Sequence, residues 1–241
     1  MEETTIRLNK YLANLGICAR RDVEFLLQEK VVTVNGEQIS EPGKRINPEI
    51  DIIKINGKGL KRPKYVYYLL NKPKGIVSTT DDEYGRKDVT SFIPTKQRIY
   101  PVGRLDKDTS GLLLLTNDGE LTNILTHPKY HVAKVYRFSI IGRITPLQLN
   151  KLRKGVRLTD GMTKPARVII TKAKPSITSL EITLREGRNR QIRRMCEAVG
   201  LRLIDLERVK FGKITLEKIG KGQYRELTNA EVAMLKVETG L

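Results

Sequence analysis

The sequence predicts an α+β protein: a small helix–helix–sheet module, then a larger domain on a mainly antiparallel, mixed sheet with peripheral helices. Three observations lead there. Apolar residues near the start fall at helical spacing. Two Asn-Gly pairs then punctuate short apolar runs. From Tyr65 onward, short strand-like runs outnumber helical ones and do not alternate with long helices, which argues against a doubly wound parallel sheet. At 241 residues the chain can bury a core without staples.

Leu8, Leu12 and Leu15 recur at i, i+4 and i+7, one helical face, with Gly16 as the stop. Val23, Leu26 and Leu27 predict a second amphipathic helix with Arg20 and Arg21 at its start. Two arginines there oppose the helix dipole, which fits a phosphate partner or a solvated charged turn equally. Asn35-Gly36 within VVTVNGEQI predicts a hairpin, and a strand over Ile50–Ile55 ends at Asn56-Gly57. The basic segment KGLKRPK, Lys58 to Lys64, broken by Pro63, marks a boundary. Residues 1–59 are expected to form the module, 60–64 the linker and 65–241 the second domain.

In that second domain, strands are expected over Tyr65–Leu70, Arg98–Val102, Gly111–Thr116, Ala133–Ile141, Ala166–Thr171, Ser179–Leu184, Leu203–Val209 and Lys213–Ile219. Helices are expected over Glu120–Thr126, Pro146–Lys154, Arg190–Val199 and Asn229–Val237.

Charge narrows the function. The net charge is +18. Residues 1–62 hold 11 basic and 9 acidic side chains, net +2, while residues 63–241 hold 34 and 18, net +16. Solubility does not require so much of one sign, so a polyanion is the expected partner, with nucleic acid ahead of an anionic membrane. No run is apolar enough to span a membrane, and MEETTIRLNK does not read as a secretory signal. Two cysteines, Cys18 and Cys196, exclude a disulfide framework and fit a reducing cytoplasm. His127 and His131 have no Cys/His cluster around them, so no metal site is expected. There is no GxxxxGK[ST], GxGxxG or HExxH motif to support nucleotide hydrolysis, dinucleotide redox chemistry or zinc proteolysis.

Three segments could carry chemistry. In PVGRLDKDTSGLLLLTNDG, Pro101 to Gly119, a polar loop separates two apolar runs and holds Asp106 and Asp108 beside Arg104 and Lys107. It reads as a metal-binding Asp-x-Asp pair, as a carboxylate nucleophile held ionised by an arginine, or as a capped turn. In LREGRNRQIRRMCEAVG, Leu184 to Gly200, the stripe Ile192, Met195, Cys196 and Val199 faces a core. Arg188, Arg190, Arg193 and Arg194 are free to meet phosphates or a carboxylate, with no acid between Glu186 and Glu197 to balance them. In AKVYRF, Ala133 to Phe138, Lys134, Tyr136 and Phe138 share one strand face and Val135 and Arg137 the other. That fits phosphate contact with base stacking, or a core tyrosine beside a snorkelling lysine.

Together these segments resemble the RsuA-like group of ribosomal RNA pseudouridine synthases. GRLDKDTSGLLLLTNDGEL is similar to that family's catalytic motif, KVY to its tyrosine motif, EGRNRQIRRM to its arginine motif, and KYVYYLLNKPKGIVST to the strand that opens its catalytic domain. RLNKYLANLGICARRDVEFLLQEKVVTVNG resembles the RNA-binding module named for ribosomal protein S-four. RLNKYLANLGIC, DKDTSGL and NRQIRRMCEAVG look closer to the B/F-type synthases, the branch of the group that acts on large-subunit RNA. The resemblance implies a catalytic Asp106, kept ionised by pairing with Arg193, and a Tyr136 stacked on uracil near C5. It implies an Arg104 that enters the RNA helix where the uridine flips out, and a Leu184 that walls the base pocket. Lys134, Arg188, Asn189, Gln191 and Arg194 are expected on the substrate, and Arg7, Lys10, Arg20 and Arg21 on RNA at the module.

The implied reaction converts uridine to pseudouridine in ribosomal RNA, most simply large-subunit (23S) RNA, with small-subunit RNA as the alternative. It needs no cofactor. The protein would act as a cytoplasmic monomer on ribosomal RNA or an assembly intermediate, without a membrane. The rival readings are a non-catalytic RNA-binding or ribosome-assembly factor and a metal-dependent glycosyltransferase using Asp106-Lys107-Asp108. The first gives no reason for a carboxylate in a basic, RNA-facing loop, where it repels phosphate.

Overall fold

A computed structural model describes residues 5–60, 64–80 and 85–240. The chain divides into two compact units, one of Met1–Tyr65 with Lys96–Arg98, the other of Val66–Thr95 and Ile99–Leu241. Of the expected linker, residues 61–63, with Pro63, lie outside the described residues.

In the first unit β1 (Ile6–Arg7) leads into α1 (Leu8–Asn14), and α2 (Val23–Glu29) comes after a 3₁₀ turn at Arg20–Asp22. Leu8, Leu12, Val23, Leu26 and Leu27 bury against β2 (Val32–Val34), whose partner β3 (Glu37–Gln38) comes after Asn35-Gly36. Both turn residues have positive φ, 53° and 90°, as a type I′ hairpin requires. β4 (Arg45–Ile46) pairs with β1. The expected strand at Ile50–Ile55 is shorter, β5 (Ile53–Ile55), because Asn47–Asp51 close a turn in which Asp51 accepts from the Asn47 amide at 2.7 Å. β6 (Lys58–Gly59) pairs with β5, and Leu60 packs on the module core, so the start of the basic boundary segment is part of the module's sheet and core.

The second unit is built on a nine-stranded sheet. Its strands are β7 (Tyr67–Lys72), β8 (Tyr100–Pro101), β9 (Ser110–Thr116), β10 (Lys134–Ile141), β13 (Arg167–Ala173), β14 (Ile177–Leu184), β15 (Leu203–Phe211), β16 (Ile214–Thr215) and β17 (Tyr224–Glu226). The order is β13-β14-β10-β15-β9-β7-β17, with β16 on β15 and β8 on β9. Pairing is antiparallel except between β15 and β9. A separate hairpin joins β11 (Arg157–Leu158) to β12 (Gly161–Met162). Among this unit's strands, this hairpin and β17 are the ones apolar patterning did not predict, being two or three residues long and largely exposed. Helices α3 (Gly119–Thr126), α4 (Pro146–Lys154), α5 (Gln191–Ala198) and α6 (Asn229–Thr239) complete the unit, close to their expected positions.

β9 is central and buried throughout: Leu112 and Leu114 enter one core with α3 and α6, Leu113 and Leu115 another with Val89, Ile93 and Leu105. That is why LLLL does not alternate with polar residues. A third core gathers Phe138 and Ile140 of β10, Leu180 and Ile182 of β14, and Ile192, Met195 and Cys196 of α5. Asn117 and Asp118 are structural: Asn117 accepts from the Val66 amide at 2.9 Å, and Asp118 caps α3 at Glu120 and Leu121.

One rung of this sheet organises the loop between β8 and β9. Lys72 faces Gly111, Gly111 faces Arg208, Arg208 faces Tyr136, and Tyr136 faces Ile182. Gly111 has φ +106°, and a Cβ there would sit 2.3 Å from the Arg208 carbonyl oxygen and 2.7 Å from its nitrogen. Only glycine permits the parallel contact of β9 with β15 at that point. Lys72, the last residue of an otherwise apolar strand, is fully buried. Its Nζ donates to the carbonyls of Thr109 at 2.8 Å, Asp106 at 3.1 Å and Pro73 at 3.1 Å, and so gathers the loop against the end of β7. Burial pushes its pKa down to about 8, while Asp106 and Asp108 act to raise it. The Gly75 amide donates to Lys107 at 2.7 Å, and Ser78 Oγ donates to Leu105 at 2.8 Å, so NKPKGIVS holds the loop residue by residue.

Two substitutions test this arrangement. Lys72→Met, which strands several buried carbonyls, is expected to cost at least about 2 kcal/mol in urea unfolding; unchanged stability would contradict the clamp. Gly111→Ala is expected to cost at least about 2 kcal/mol. Gly142→Ala, where φ is +75° but no atom lies within 4 Å, should cost roughly 1 kcal/mol. Equal losses would remove the close approach as the reason for Gly111.

Candidate active site

The loop after β8 and the arginine-rich segment before α5 meet at a cavity of about 260 Å³. Asp106 and Arg104 come from the loop, Tyr136 from β10, Leu184 from the end of β14, and Arg188, Asn189, Arg190 and Gln191 from the turn into α5. Residues far apart in sequence thus converge on one space. The Asp106 carboxylate is about one-third exposed, and Leu184 is buried. Tyr136 packs against two of the cores and still faces the cavity, which fixes its ring.

The arginines distribute themselves over acids from other parts of the chain. Arg193 was expected to pair with Asp106; instead its Nη2 lies 3.1 Å from the Asp108 carboxylate and donates to the Asp108 carbonyl at 3.0 Å. The reason is reach: Arg193 lies within the first turn of α5, beside Asp108 and Thr109, whereas Arg190 at the helix start comes within 4.0 Å of Asp106 and 3.2 Å of Asp108. Arg190 adopts a left-handed backbone, φ 47° and ψ 35°, an uncommon conformation for a long side chain. The carboxyl that these guanidiniums hold below the usual range, against the effect of burial, is that of Asp108. Asp108 thus joins the loop to α5, while Asp106 faces the cavity.

Arg188 and Arg194 build the wall. Arg188 donates to the carbonyls of Asp160 at 3.1 Å and Gly161 at 3.0 Å, and its Nε donates to Glu186 at 3.3 Å. Arg194 reaches Asp160 Oδ2 at 3.0 Å and Thr159 Oγ1 at 3.1 Å, and its hydrogen bonds lower the Asp160 pKa. Both arginines therefore pin the β11–β12 hairpin; Arg188 also lines the cavity, and Arg194 does not. Gln191, buried, donates to Glu186 at 2.6 Å and accepts from the Arg188 amide at 3.2 Å. Cys196 on the buried side of α5 has its thiol pushed up to about 12 by burial.

Lys134 lies off the Asp106 cavity, in an adjoining one that shares Tyr136 and Arg104. Burial, reinforced by Arg208, pushes its pKa down to about 8. At the first unit, Arg7, Arg20 and Arg21 are exposed and Lys10 is half-buried. Asp108 and Arg190 stood among the candidate groups of the sequence but were given no role by the resemblance; Lys72 and Asp160 were not singled out at all. A charged residue closing an apolar strand before Pro73 was a usable signal for Lys72; Asp160 left none.

Comparison with known proteins identifies the family. A family model described as RNA pseudouridylate synthase matches residues 66–198, and an S4 domain model matches residues 6–52. The chain is 45% identical over 233 residues to ribosomal large subunit pseudouridine synthase B of Bacillus subtilis (strain 168), covering 95% of each. It is 37% identical to the dual-specificity RNA pseudouridine synthase RluF of Escherichia coli (strain K12), covering 96% of this chain and 79% of that protein. A crystal structure of a pseudouridylate synthase superposes with a TM-score of 0.69 at 31% identity, covering 95% of this chain and 99% of the other. Among the described residues, no helix is long and apolar enough to cross a membrane. This chain therefore belongs to the RNA pseudouridine synthase family, in the RsuA-like branch that carries an amino-terminal S4 domain.

Proposed function

We propose that the protein isomerises one uridine of large-subunit (23S) ribosomal RNA to pseudouridine, with Asp106 engaging the sugar and no cofactor. The observation that carries this is the meeting of Asp106 and Tyr136 in one cavity against the apolar wall of Leu184. Its volume, about 260 Å³, lies just below the roughly 300–1,000 Å³ of pockets for drug-sized ligands, which suits a single base. The large-subunit assignment rests on the 45% identity to the Bacillus subtilis synthase.

The chemistry fits the residue types. The N1–C1′ bond breaks, the freed base turns, C5 bonds to C1′, and the C5 proton is replaced by one at N1. No electrons, donor or metal are required. The Asp106 carboxylate acts at C1′ as nucleophile or at C2′ as base. Tyr136 stacks on the uracil and takes or relays the C5 proton. The uridine must leave its stack, at a cost of about a few kcal/mol that stacking and hydrogen bonds offset. Arg104, exposed at the cavity rim, occupies the gap the base leaves. Arg188, Asn189 and Gln191 shape the pocket, Arg193 and Arg194 hold its walls, and the module of residues 1–59 adds RNA contacts at Arg7, Lys10, Arg20 and Arg21. The protein acts in the cytoplasm as a monomer, on ribosomal RNA or an assembly intermediate, and should sediment at the mass of one chain.

Asp106→Asn is expected to lower product formation at least about a thousandfold while RNA affinity stays within about threefold; appreciable turnover removes Asp106 from the mechanism. Arg193→Ala, by freeing Asp108 and Thr109 from α5, should lower kcat at least about tenfold; a wild-type rate would show that this tie is dispensable. Pseudouridine mapping of total RNA from cells with and without the protein should lose one large-subunit site. Loss of a small-subunit site moves the substrate, and loss of none favours a binding factor. RNA affinity should fall with salt at a slope of roughly −0.7 to −0.9 per phosphate contacted.

A further inference from the structure

A second cavity, of about 190 Å³, opens beside the first and is more cationic. Arg104, Lys134, Arg185, Arg188 and Arg208 line it. Its one acid among the described residues is Glu186, and that carboxylate is occupied by Gln191 Nε2 at 2.6 Å, the Lys164 amide at 3.0 Å and Arg188 Nε at 3.3 Å. Arg104, Tyr136 and Arg188 belong to both cavities, so the two are contiguous.

Among the described residues, two of these cations, Arg208 buried and Lys134 half-buried, have no carboxylate against them. Arg208 is 2% exposed; its Nε donates to the Leu112 carbonyl at 2.8 Å, while Nη2 lies buried with no hydrogen-bond partner. Lys134 makes one hydrogen bond among the described residues, to the Val132 carbonyl at 3.2 Å. Both cations sit over the Phe211 ring, 5.0 Å and 5.6 Å from its centroid, and the ring face offsets only part of their desolvation. Two like charges that line one cavity, one of them buried with an unused donor, form a site suited to an anion.

We infer that this cavity is a phosphate subsite whose occupant is the RNA phosphodiester flanking the uridine held at Asp106. The inference rests on the function proposed above, because the occupant is chosen by contiguity with the base cavity. The two non-bridging oxygens of a phosphodiester accept from Arg208 Nη2 and Lys134 Nζ, satisfying both cations with charge-assisted hydrogen bonds. The contact fixes register along the strand, so the nucleotide beside it is the one presented to Asp106. A free phosphate ion offers the same chemistry, and the test separates the two.

The test uses the full-length protein with ribosomal RNA from cells lacking it, and inorganic phosphate as probe. Lys134→Gln is expected to raise KM about tenfold or more, the loss of one charge-assisted hydrogen bond, and Lys134→Arg to recover most of it. Inorganic phosphate should inhibit the wild type competitively with RNA, beyond chloride at equal ionic strength, and should inhibit Lys134→Gln far less. An unchanged KM, or phosphate inhibition no different from chloride, overturns the subsite. Phosphate that binds together with RNA makes it a free-anion site and overturns the assigned occupant. Removal of a half-buried charge near Arg208 should leave the melting temperature of Lys134→Gln equal or higher; a fall beyond about 5 °C marks Lys134 as structural and also overturns the inference. If the wild type forms no pseudouridine on this RNA, the proposed function fails and takes the subsite with it. Product with a flat Lys134→Gln response sinks the subsite alone.

Discussion

The site depends on one buried ammonium. The segment from Gly103 to Thr109 is irregular and polar, yet it lies against β7 and β9, the central strands buried on both faces. Backbone carbonyls in such a place must find donors or the segment is expelled to the surface. Lys72 supplies them at Asp106 and Thr109 together, and the turn after it holds Leu105 and Lys107. A cation in that position also places positive charge beside Asp106, since it binds the carbonyl of that same residue. The same rung continues through Gly111 to Arg208 and Tyr136. The group that holds the loop, the glycine that lets two strands approach, and the ring that faces the Asp106 cavity therefore lie along one line across the sheet.

Charge in this protein is allocated, not merely abundant. The arginine segment looks unbalanced along the chain, with no acid between Glu186 and Glu197. In space Arg190 and Arg193 are matched by Asp108, and Arg188 and Arg194 by Asp160 and Glu186. Those pairs join three separate stretches of chain around the cavity. Among the described residues, Arg208, buried, and Lys134, half-buried, have no carboxylate in contact, and burial makes an absent anion costly. Most of the +18 thus serves as scaffolding or a diffuse field, and a small part is held in reserve for a ligand.

Much of the fold was legible from the chain alone. The Asn-Gly turns, the apolar faces of α1, α2 and α5, and the long strands are local consequences of propensity and periodicity, and they stand near their expected positions. The failures share a cause. β17 and the β11–β12 hairpin are too short for a periodic signal, and Ile50 and Ile52, although apolar, are exposed beside a turn fixed by Asp51. Asp106, Tyr136 and Leu184, far apart in the chain, line one cavity, an arrangement no local pattern encodes. Arg193 pairs with Asp108 in place of the Asp106 that the resemblance implied.

The amino-acid sequence by itself determined the α+β class, the excess positive charge suited to a polyanion and a set of candidate residues, because composition, hydrophobic period and motif spacing are properties of the chain. Tertiary structure decided which arginine meets which aspartate, why Lys72 is buried, and where two cations are left without a counter-ion. Those outcomes depend on distances between side chains tens of residues apart, and at these short separations a difference of an ångström or two decides which pair forms. No spacing along the chain encodes that difference; the packing of α5 and β15 against β9 and β10 sets it.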